Sequence, residues 1–407
     1  MASHGLVHTY ELSIPILMTI WLLEFSVTAA VLGLVVTVGY ALFGVGALPG
    51  GVLVDRYGSR LLIVGCLFGM GTSFLLLSIS PHILLVTVAL GVWGIAASVY
   101  HPAGLALISN GVRRDVRGTA FAYHGMAGNV GIAFGPLVTA LLLLVFDWRI
   151  VVVVLAVPAL IVAVVGTVTE FDETANVDAG DGNGESGIHS LSEFVRESRR
   201  IFTIGFTLVF LVVISNGLYY RGTLTFLPEI LDDFLVVLLG EVRFGIFDPE
   251  SPFADEFDVA QYVYVGLLTV GIVGQYVGGK LTDRIPPERG IAVMLATLAV
   301  IGVLFVPAAQ VGLATLALVS ILLGFALFAM QPLTQATIAK YSRANSRGLS
   351  FGYTYLSIFG IGALGAAIVG VGLTYASVFA VFLVLAGIAL CGSMLAVTLV
   401  ARGRGTE

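Results

Sequence analysis

Apolar residues run along this chain in long unbroken blocks, and nearly every charged side chain falls in the short stretches between them. A helix rising about 1.5 Å per residue needs about 20 apolar residues to cross a hydrocarbon core ~30 Å thick. Twelve blocks are long enough, at about 5–23, 27–50, 60–79, 83–108, 118–146, 149–168, 202–228, 260–280, 290–308, 312–339, 348–372 and 374–401. None shows the alternation of a barrel strand, and only helices or closed barrels satisfy the backbone inside lipid. The pattern predicts an all-α integral membrane protein of twelve transmembrane helices.

The blocks come in two copies. Ser98-Val99-Tyr100-His101-Pro102 and Phe328-Ala329-Met330-Gln331-Pro332 hold the same place in the fourth and tenth blocks, 331 − 101 = 230 positions apart. Arg117-Gly118, Phe121 and Tyr123 return as Arg347-Gly348, Phe351 and Tyr353, and a Gly-x-Leu-x-Asp-Arg turn ending at Arg56 returns ending at Arg284, 284 − 56 = 228 positions on. A chain that repeats at half its length, with each half strongly apolar, reads as a duplicated membrane unit. Two pseudo-symmetric six-helix bundles are expected, at 1–169 and 201–401, with a linker at 170–200 and a tail at 402–407. The linker is acidic and glycine-rich at 178–187, too polar to pack. Its end, with Leu191, Phe194, Val195 and Ile201 among Glu193, Arg196, Arg199 and Arg200, predicts an amphipathic helix along the inner membrane face. The Phe234–Leu239 stretch is too short to span; it either extends the seventh helix or lies at the interface.

Composition agrees: 58% hydrophobic and 11% charged residues, against roughly 45–50% and 25% in soluble domains. The sign of the charge gives orientation. Sixteen of the nineteen basic residues lie in or beside alternate connections, leaving Arg149, Arg221 and Arg243 on the other side. By the positive-inside rule both termini and the middle linker are cytoplasmic, at a cell (plasma) membrane. The acid-rich, lysine-poor exposed segments, including the outer loop 232–258, suit a salty environment and a halophile. Cys66 and Cys391 lie within apolar blocks, as small core residues with no disulfide framework. No basic n-region or cleavage site precedes the first block, so that helix is expected to stay in the protein.

Gly51-Val52-Leu53-Val54-Asp55-Arg56-Tyr57-Gly58-Ser59-Arg60 resembles the signature loop between helices two and three of the major facilitator superfamily. Gly51 suits close helix approach, Asp55 a helix N-terminus or a guanidinium, and Arg56 and Arg60 acidic partners or lipid phosphate. The second copy keeps Gly279, Asp283 and Arg284 but has Pro286-Pro287 where the glycine stood. The resemblance implies that these loops latch the halves together in the outward-facing state. Ala97–Pro102, Gly128–Leu137, Ser3-His4 and Glu24–Thr28 look like the fosmidomycin-resistance branch, which implies proton-driven export of small polar drugs. Gly131-x-x-x-Gly135-Pro136 also resembles the fifth-helix motif of drug/proton antiporters, although Thr139-Ala140 replaces its closing glycine pair; plain close helix packing explains the same spacing.

Polar groups inside lipid cost several kcal/mol and should face a cavity (~2.5–3.5 kcal/mol on lenient scales for a charge). His4, His8 and Glu11 share one face of the first helix, and imidazoles beside a carboxylate make a plausible proton site. His4 has a second reading, at the water interface, unless the helix has lost inner turns as its match to Ser215-Asn216-Gly217-Leu218 suggests. His101 and Gln331 each precede a proline and are candidates for a central cavity, with Asn129 and Tyr353. His124 is read as a gate or as a satisfied structural histidine. In the seventh helix Asn216, Tyr220 and Arg221 form a polar cluster; Arg221 either snorkels outward or, facing the cavity, favours an anionic solute.

The function expected is secondary active transport of a small organic solute by alternating access, as proton-driven antiport exporting a drug-like or anionic metabolite. The alternatives are a proton or sodium uptake symporter, and a divalent metal transporter using the first-helix histidines. A non-transporting receptor stands behind both. No His-Glu-x-x-His, Walker or Gly-x-Ser-x-Gly motif occurs, so no enzyme chemistry and no cofactor are expected. The partners expected are the solute, a coupling proton and the lipid bilayer, with no nucleic acid, and the chain is expected to act as a monomer.

Overall fold

The computed structural model describes residues 1–113, 115–169, 172, 173, 175, 191–240, 259–342 and 347–403, without the side chains at 55, 191, 347, 348 and 403. The described part of the chain is helical. The first half comprises α1 (Ala2–Glu24), α2 (Ala29–Tyr57), α3 (Ser59–Ser78), α4 (Ile83–Ser98), α5 (Tyr100–Gly111), α6 (Arg117–Leu143) and α7 (Trp148–Val168). After α8 (Leu191–Ile201) the second half comprises α9 (Ile204–Leu239), α10 (Val259–Thr282), α11 (Pro287–Val311), α12 (Leu313–Tyr341), α13 (Arg347–Tyr355), α14 (Leu364–Tyr375) and α15 (Val378–Gly403). A π-helical turn, Leu356–Ile361, lies between α13 and α14. Eleven spans are long and apolar enough to cross a bilayer, and α8 with α9, bent by 90°, makes the twelfth.

Local chemistry sets the boundaries. Side chains of Thr28, Asp147 and Thr203 accept hydrogen bonds from backbone N–H groups of α2, α7 and α9, serving donors that lipid cannot. Gly58 ends α2 at φ +79, a conformation that a side chain would strain, so the signature segment is helix through Tyr57 and not a loop. Pro102 removes a helical N–H, and the fourth span is broken at Val99; its mate Pro332 sits within an unbroken α12. The Phe234–Leu239 stretch extends α9. The amphipathic helix forms as α8, while the acidic stretch 178–187 and the loop residues 241–258, with Arg243, Pro249 and Pro252, lie outside the described residues.

The two halves meet mainly along α2 and the span formed by α13, the π turn and α14. Ala30 N donates to Thr374 Oγ1 at 2.8 Å and Thr37 Oγ1 to the Ala363 carbonyl at 3.1 Å. Deeper in, Gly44 and Gly360 lie backbone to backbone, where any side chain would collide. Burial is uneven along the bundles. Every residue of α9 from Tyr219 to Pro228 is buried, as is every residue of α1 from Tyr10 to Met18. The first turns of both helices, by contrast, include exposed or half-buried positions. The last turns do as well, with Leu23 and Val237 exposed, so the seal lies at the middle of both helices.

Candidate functional site

Next to this buried stretch, on its Met1 side, lies a knot of histidines. In α1, His4, His8 and Glu11 do share a face: His8 Nδ1 is 2.8 Å from Glu11 Oε2, and His8 Nε2 is 3.2 Å from His4 Nε2. His4 Nδ1 donates to the His124 carbonyl at 2.6 Å, and the two rings stack with centroids 3.9 Å apart. His4 is only 7% exposed, so the interfacial reading does not hold. The reason lies on α6: a Cβ on Gly128 would come 2.6 Å from His4 Cε1, and one on Gly131 would strike the Gly5 backbone. These glycines bring α1 and α6 together and leave space for the imidazole. Gly135, against the Thr9 backbone, continues the same seam, so this motif's glycines serve close packing, with Pro136 buried beside them.

His101 enters from the first turn of α5, its ring 5.4 Å from that of His4 and 5.6 Å from that of His8. Its Nε2 is buried with no hydrogen-bond partner among the described residues, and its ring stacks on Tyr355 of the second half at 5.2 Å. One ligand nitrogen from each of His4, His8 and His101 can be chosen so that all lie within 4.8 Å of one another. The spacing suits a shared proton or a metal ion. A cavity of about 380 Å³ reaches His124 and Tyr100 from the Met1 end, past Ser3, Arg60 and Leu107.

Glu11 carries the cluster across to the other bundle. One of its oxygens faces His8, and the other accepts from Arg221 Nη2, an ion pair joining α1 to α9 with both side chains buried. Arg221 thus neither snorkels nor reaches water. Tyr40 of α2 covers it, ring centroid 3.7 Å from Cζ, and donates its hydroxyl to the Glu11 carbonyl at 3.2 Å. The Tyr220 ring centroid lies 5.7 Å from Cζ. Arg221 Nε is buried and has no partner among the described residues. Sequence reading named both charges but not their pairing, and it missed Tyr40 and Tyr355.

The other candidates scatter. Asn216 is buried one turn before Tyr220, and Asn129 is half-buried on α6; neither hydrogen-bonds into the cluster among the described residues. Gln331 accepts from Gln275 Nε2 at 2.9 Å within the second half. Tyr353 packs on Phe202, Phe194 and Phe210, where α8 turns into α9. His124 lends its carbonyl and its ring face, and its Nε2 is buried without a partner among the described residues.

The signature segments also differ from expectation. Gly51 is exposed, with open space where a Cβ would sit; the nearest close approaches along α2 belong to Gly46 against Ser98 and Gly50 against Pro102. Arg60 donates to the carbonyls of Gly166 (3.0 Å) and Thr167 (2.6 Å), placing its cation at the C-terminus of α7. Ser59 N donates to Glu173 at 2.5 Å. Arg56 lies over Tyr57, Asp283 and Arg284 are exposed, and Gly279 has open space; the Asp55 side chain lies outside the described residues. Cys66 is buried as expected, but Cys391 is exposed.

Known proteins bear on the whole chain. Multidrug resistance protein 2 of Bacillus subtilis (strain 168) is 24% identical over 346 residues, 83% of this chain and 79% of that one. A probable L-galactonate transporter of Escherichia coli (strain K12) is 28% identical over 132 residues, 31% of this chain and only 28% of the relative's length. Among solved structures, the xylose transporter XylE from E. coli in an inward open conformation superposes with a TM-score of 0.71 at 16% identity, covering 98% of this chain and 94% of that one. The sequence profile described as Major Facilitator Superfamily matches residues 5–246 and again 209–406. With both halves matched, and with twelve apolar spans in the fold of these transporters, the chain belongs to the Major Facilitator Superfamily.

Proposed function

We propose that the protein is a proton-coupled secondary active transporter of a small organic solute, in which the two six-helix bundles rock about the histidine knot. One observation carries this reading. His4 Nδ1 faces a carbonyl, which has no hydrogen to give, so that nitrogen holds the proton and donates. His8 Nδ1 faces a carboxylate paired with Arg221, so it too donates. Both Nε2 atoms are then left with lone pairs pointing at each other across 3.2 Å. Two such lone pairs repel unless a cation lies between them, and a proton bound to either nitrogen turns the repulsion into an N–H···N hydrogen bond.

The place of this proton suits coupling. It sits on α1, one carboxylate away from the other bundle, so gaining or losing it alters the tie between the halves. The contacts that join the halves near Phe25, Ala30 to Thr374 and Gly370 against the Ala29 backbone, support an inward-facing state, given the positive-inside assignment of the Met1 end to the cytoplasm. The same rule supports cytoplasmic termini, in a protein of the cell membrane. One chain carries both halves of the site, so the monomer is the working unit. The relative named for multidrug resistance supports export of a drug-like solute, and the relative named for L-galactonate supports an organic acid.

The test is reconstitution of the full chain into liposomes with imposed pH gradients, following radiolabelled fosmidomycin, gluconate and ethidium. A pH gradient should drive accumulation of at least one probe. His8→Ala or Glu11→Gln should abolish gradient-driven accumulation yet permit solute exchange at equal pH. Unchanged accumulation in both variants removes these residues from coupling. Flux that follows zinc and ignores the pH gradient assigns the cation between the histidines to a metal instead of a proton.

A further inference from the structure

Glu11 and Arg221 are not spent on each other. The carboxylate divides its oxygens between His8 and Arg221, and the guanidinium answers it with Nη2, leaving Nε buried and without a partner among the described residues. A guanidinium binds an oxyanion best through two parallel N–H groups. Here the guanidinium packs on the Tyr40 ring, 3.7 Å from Cζ, with Tyr220 nearby, so the edge that carries the donors is held in place. Such a group has capacity for a second oxyanion.

The groups facing this pair come from every helix packed around it. They are His4 and His8 on α1, Tyr40 on α2, His101 on α5, Tyr220 on α9 and Tyr264 on α10. Among the described residues of this set, Glu11 is the one acid and Arg221 the one fixed cation. The pair is therefore neutral, and any single added charge leaves a net charge buried in a low-dielectric place.

We infer that the solute is an organic anion, a carboxylate or a phosphonate, that takes Arg221 from Glu11 and crosses together with the proton. This rests on the proton-coupled reading above. An anion on Arg221 adds one negative charge and frees Glu11. One proton taken up along the Glu11, His8 and His4 chain restores neutrality. Binding of each thus favours binding of the other, by the same factor in both directions. The charge balance gives cotransport, where the antiporter resemblance of the sequence implied exchange; exchange would require the two ligands to exclude each other.

The experiment measures binding to the full chain in lipid nanodiscs at pH 6, 7 and 8 and constant ionic strength. The probes are gluconate and methylphosphonate as anions, glucose as a neutral solute and tetraphenylphosphonium as a cation. At least one anion should bind, with affinity rising by up to ~10-fold for each unit of acidification, the linkage limit for one proton per anion. Glu11→Gln should keep anion binding and flatten its pH dependence. Arg221→Gln should abolish it, and Arg221→Lys, which keeps the charge, should weaken it while retaining the slope, so that a folding defect in one variant does not decide the matter. Anion affinity that falls on acidification overturns the inference, as does a panel in which no anion binds at any pH. Gradient-driven transport confined to glucose or tetraphenylphosphonium overturns it while leaving proton coupling intact; transport that ignores the pH gradient overturns proton coupling itself.

Discussion

Removing one partner of the Glu11–Arg221 pair should cost far more than removing both. The two side chains are 1% and 2% exposed, so solvent cannot take up a charge left behind. Breaking a buried pair from one side costs about 3–5 kcal/mol, whereas replacing both members with neutral groups of similar volume is often close to neutral. Arg221→Met strands the Glu11 carboxylate with His8 alone and should lose about 3–5 kcal/mol. Glu11→Gln leaves the guanidinium against the Tyr40 ring, an attraction of about 0.5–2 kcal/mol, with the Gln oxygen still able to accept, so its loss should be smaller, about 1.5–3 kcal/mol. The double variant should lose less than the sum by about 2 kcal/mol or more, a large fraction of a total stability of about 5–15 kcal/mol. Reversible unfolding in mixed micelles with rising dodecyl sulfate, followed by helical circular dichroism, measures all four corners of the cycle. Glu24–Arg149, at 2.5 Å but with side chains 31% and 34% exposed, is the control, with a coupling under about 1 kcal/mol. Additivity of the Glu11 and Arg221 losses within about 0.5 kcal/mol would refute the claim that the bundles are tied by a desolvated charge pair.

Other expectations are equally direct. Gly131→Val drives a side chain into the Gly5 backbone and should destabilise by about 1–3 kcal/mol or block folding, whereas Gly125→Ala, where space is open, should be neutral in the same unfolding assay. Arg56→Cys and Arg284→Cys should both react with an impermeant maleimide from one and the same side of oriented vesicles; labelling from opposite sides would break the duplicated topology. Arg60→Ala removes two carbonyl contacts at a helix C-terminus and should cost about 1–2 kcal/mol, while Arg56→Ala, exposed over Tyr57, should leave stability unchanged within about 0.5 kcal/mol.

Fold and span count were legible because lipid punishes any other arrangement: a helix must be long and apolar, and the charges left over mark its ends. The boundaries were less so. The second helix was expected to end near residue 50, but Gly51–Tyr57 continues it, because a charged side chain past the membrane edge does not stop backbone hydrogen bonding; Gly58, with positive φ, does. The signature motif was recognised from its residue types, yet its partners were not, since Arg60 finds backbone carbonyls of α7 that leave no mark in side-chain identity. Tyr353 was carried along by its repeat with Tyr123, but in the second half α8 supplies Phe194, and Phe202 follows it, an aromatic nest that the first half does not repeat.

The site itself was half legible. Helical spacing alone put His4, His8 and Glu11 on one face, and an acid buried in lipid demands compensation, so a cation had to be near. The repeat held the rest of the answer. Ser3–Leu6 matches Ser215–Leu218 at 215 − 3 = 212, which sends Glu11 to position 11 + 212 = 223, two residues from Arg221. Helices one and seven are pseudo-symmetry mates that face each other across the centre, so opposite charges at nearly matching depths are placed to meet. What no pattern in the sequence reveals is the geometry between them: a carboxylate with one oxygen for a histidine and one for an arginine, and an arginine with a donor to spare. That division of bonds makes the pair a junction between a proton and an anion instead of a closed structural tie, because each of its members can be satisfied by a ligand that the other half of the cycle supplies.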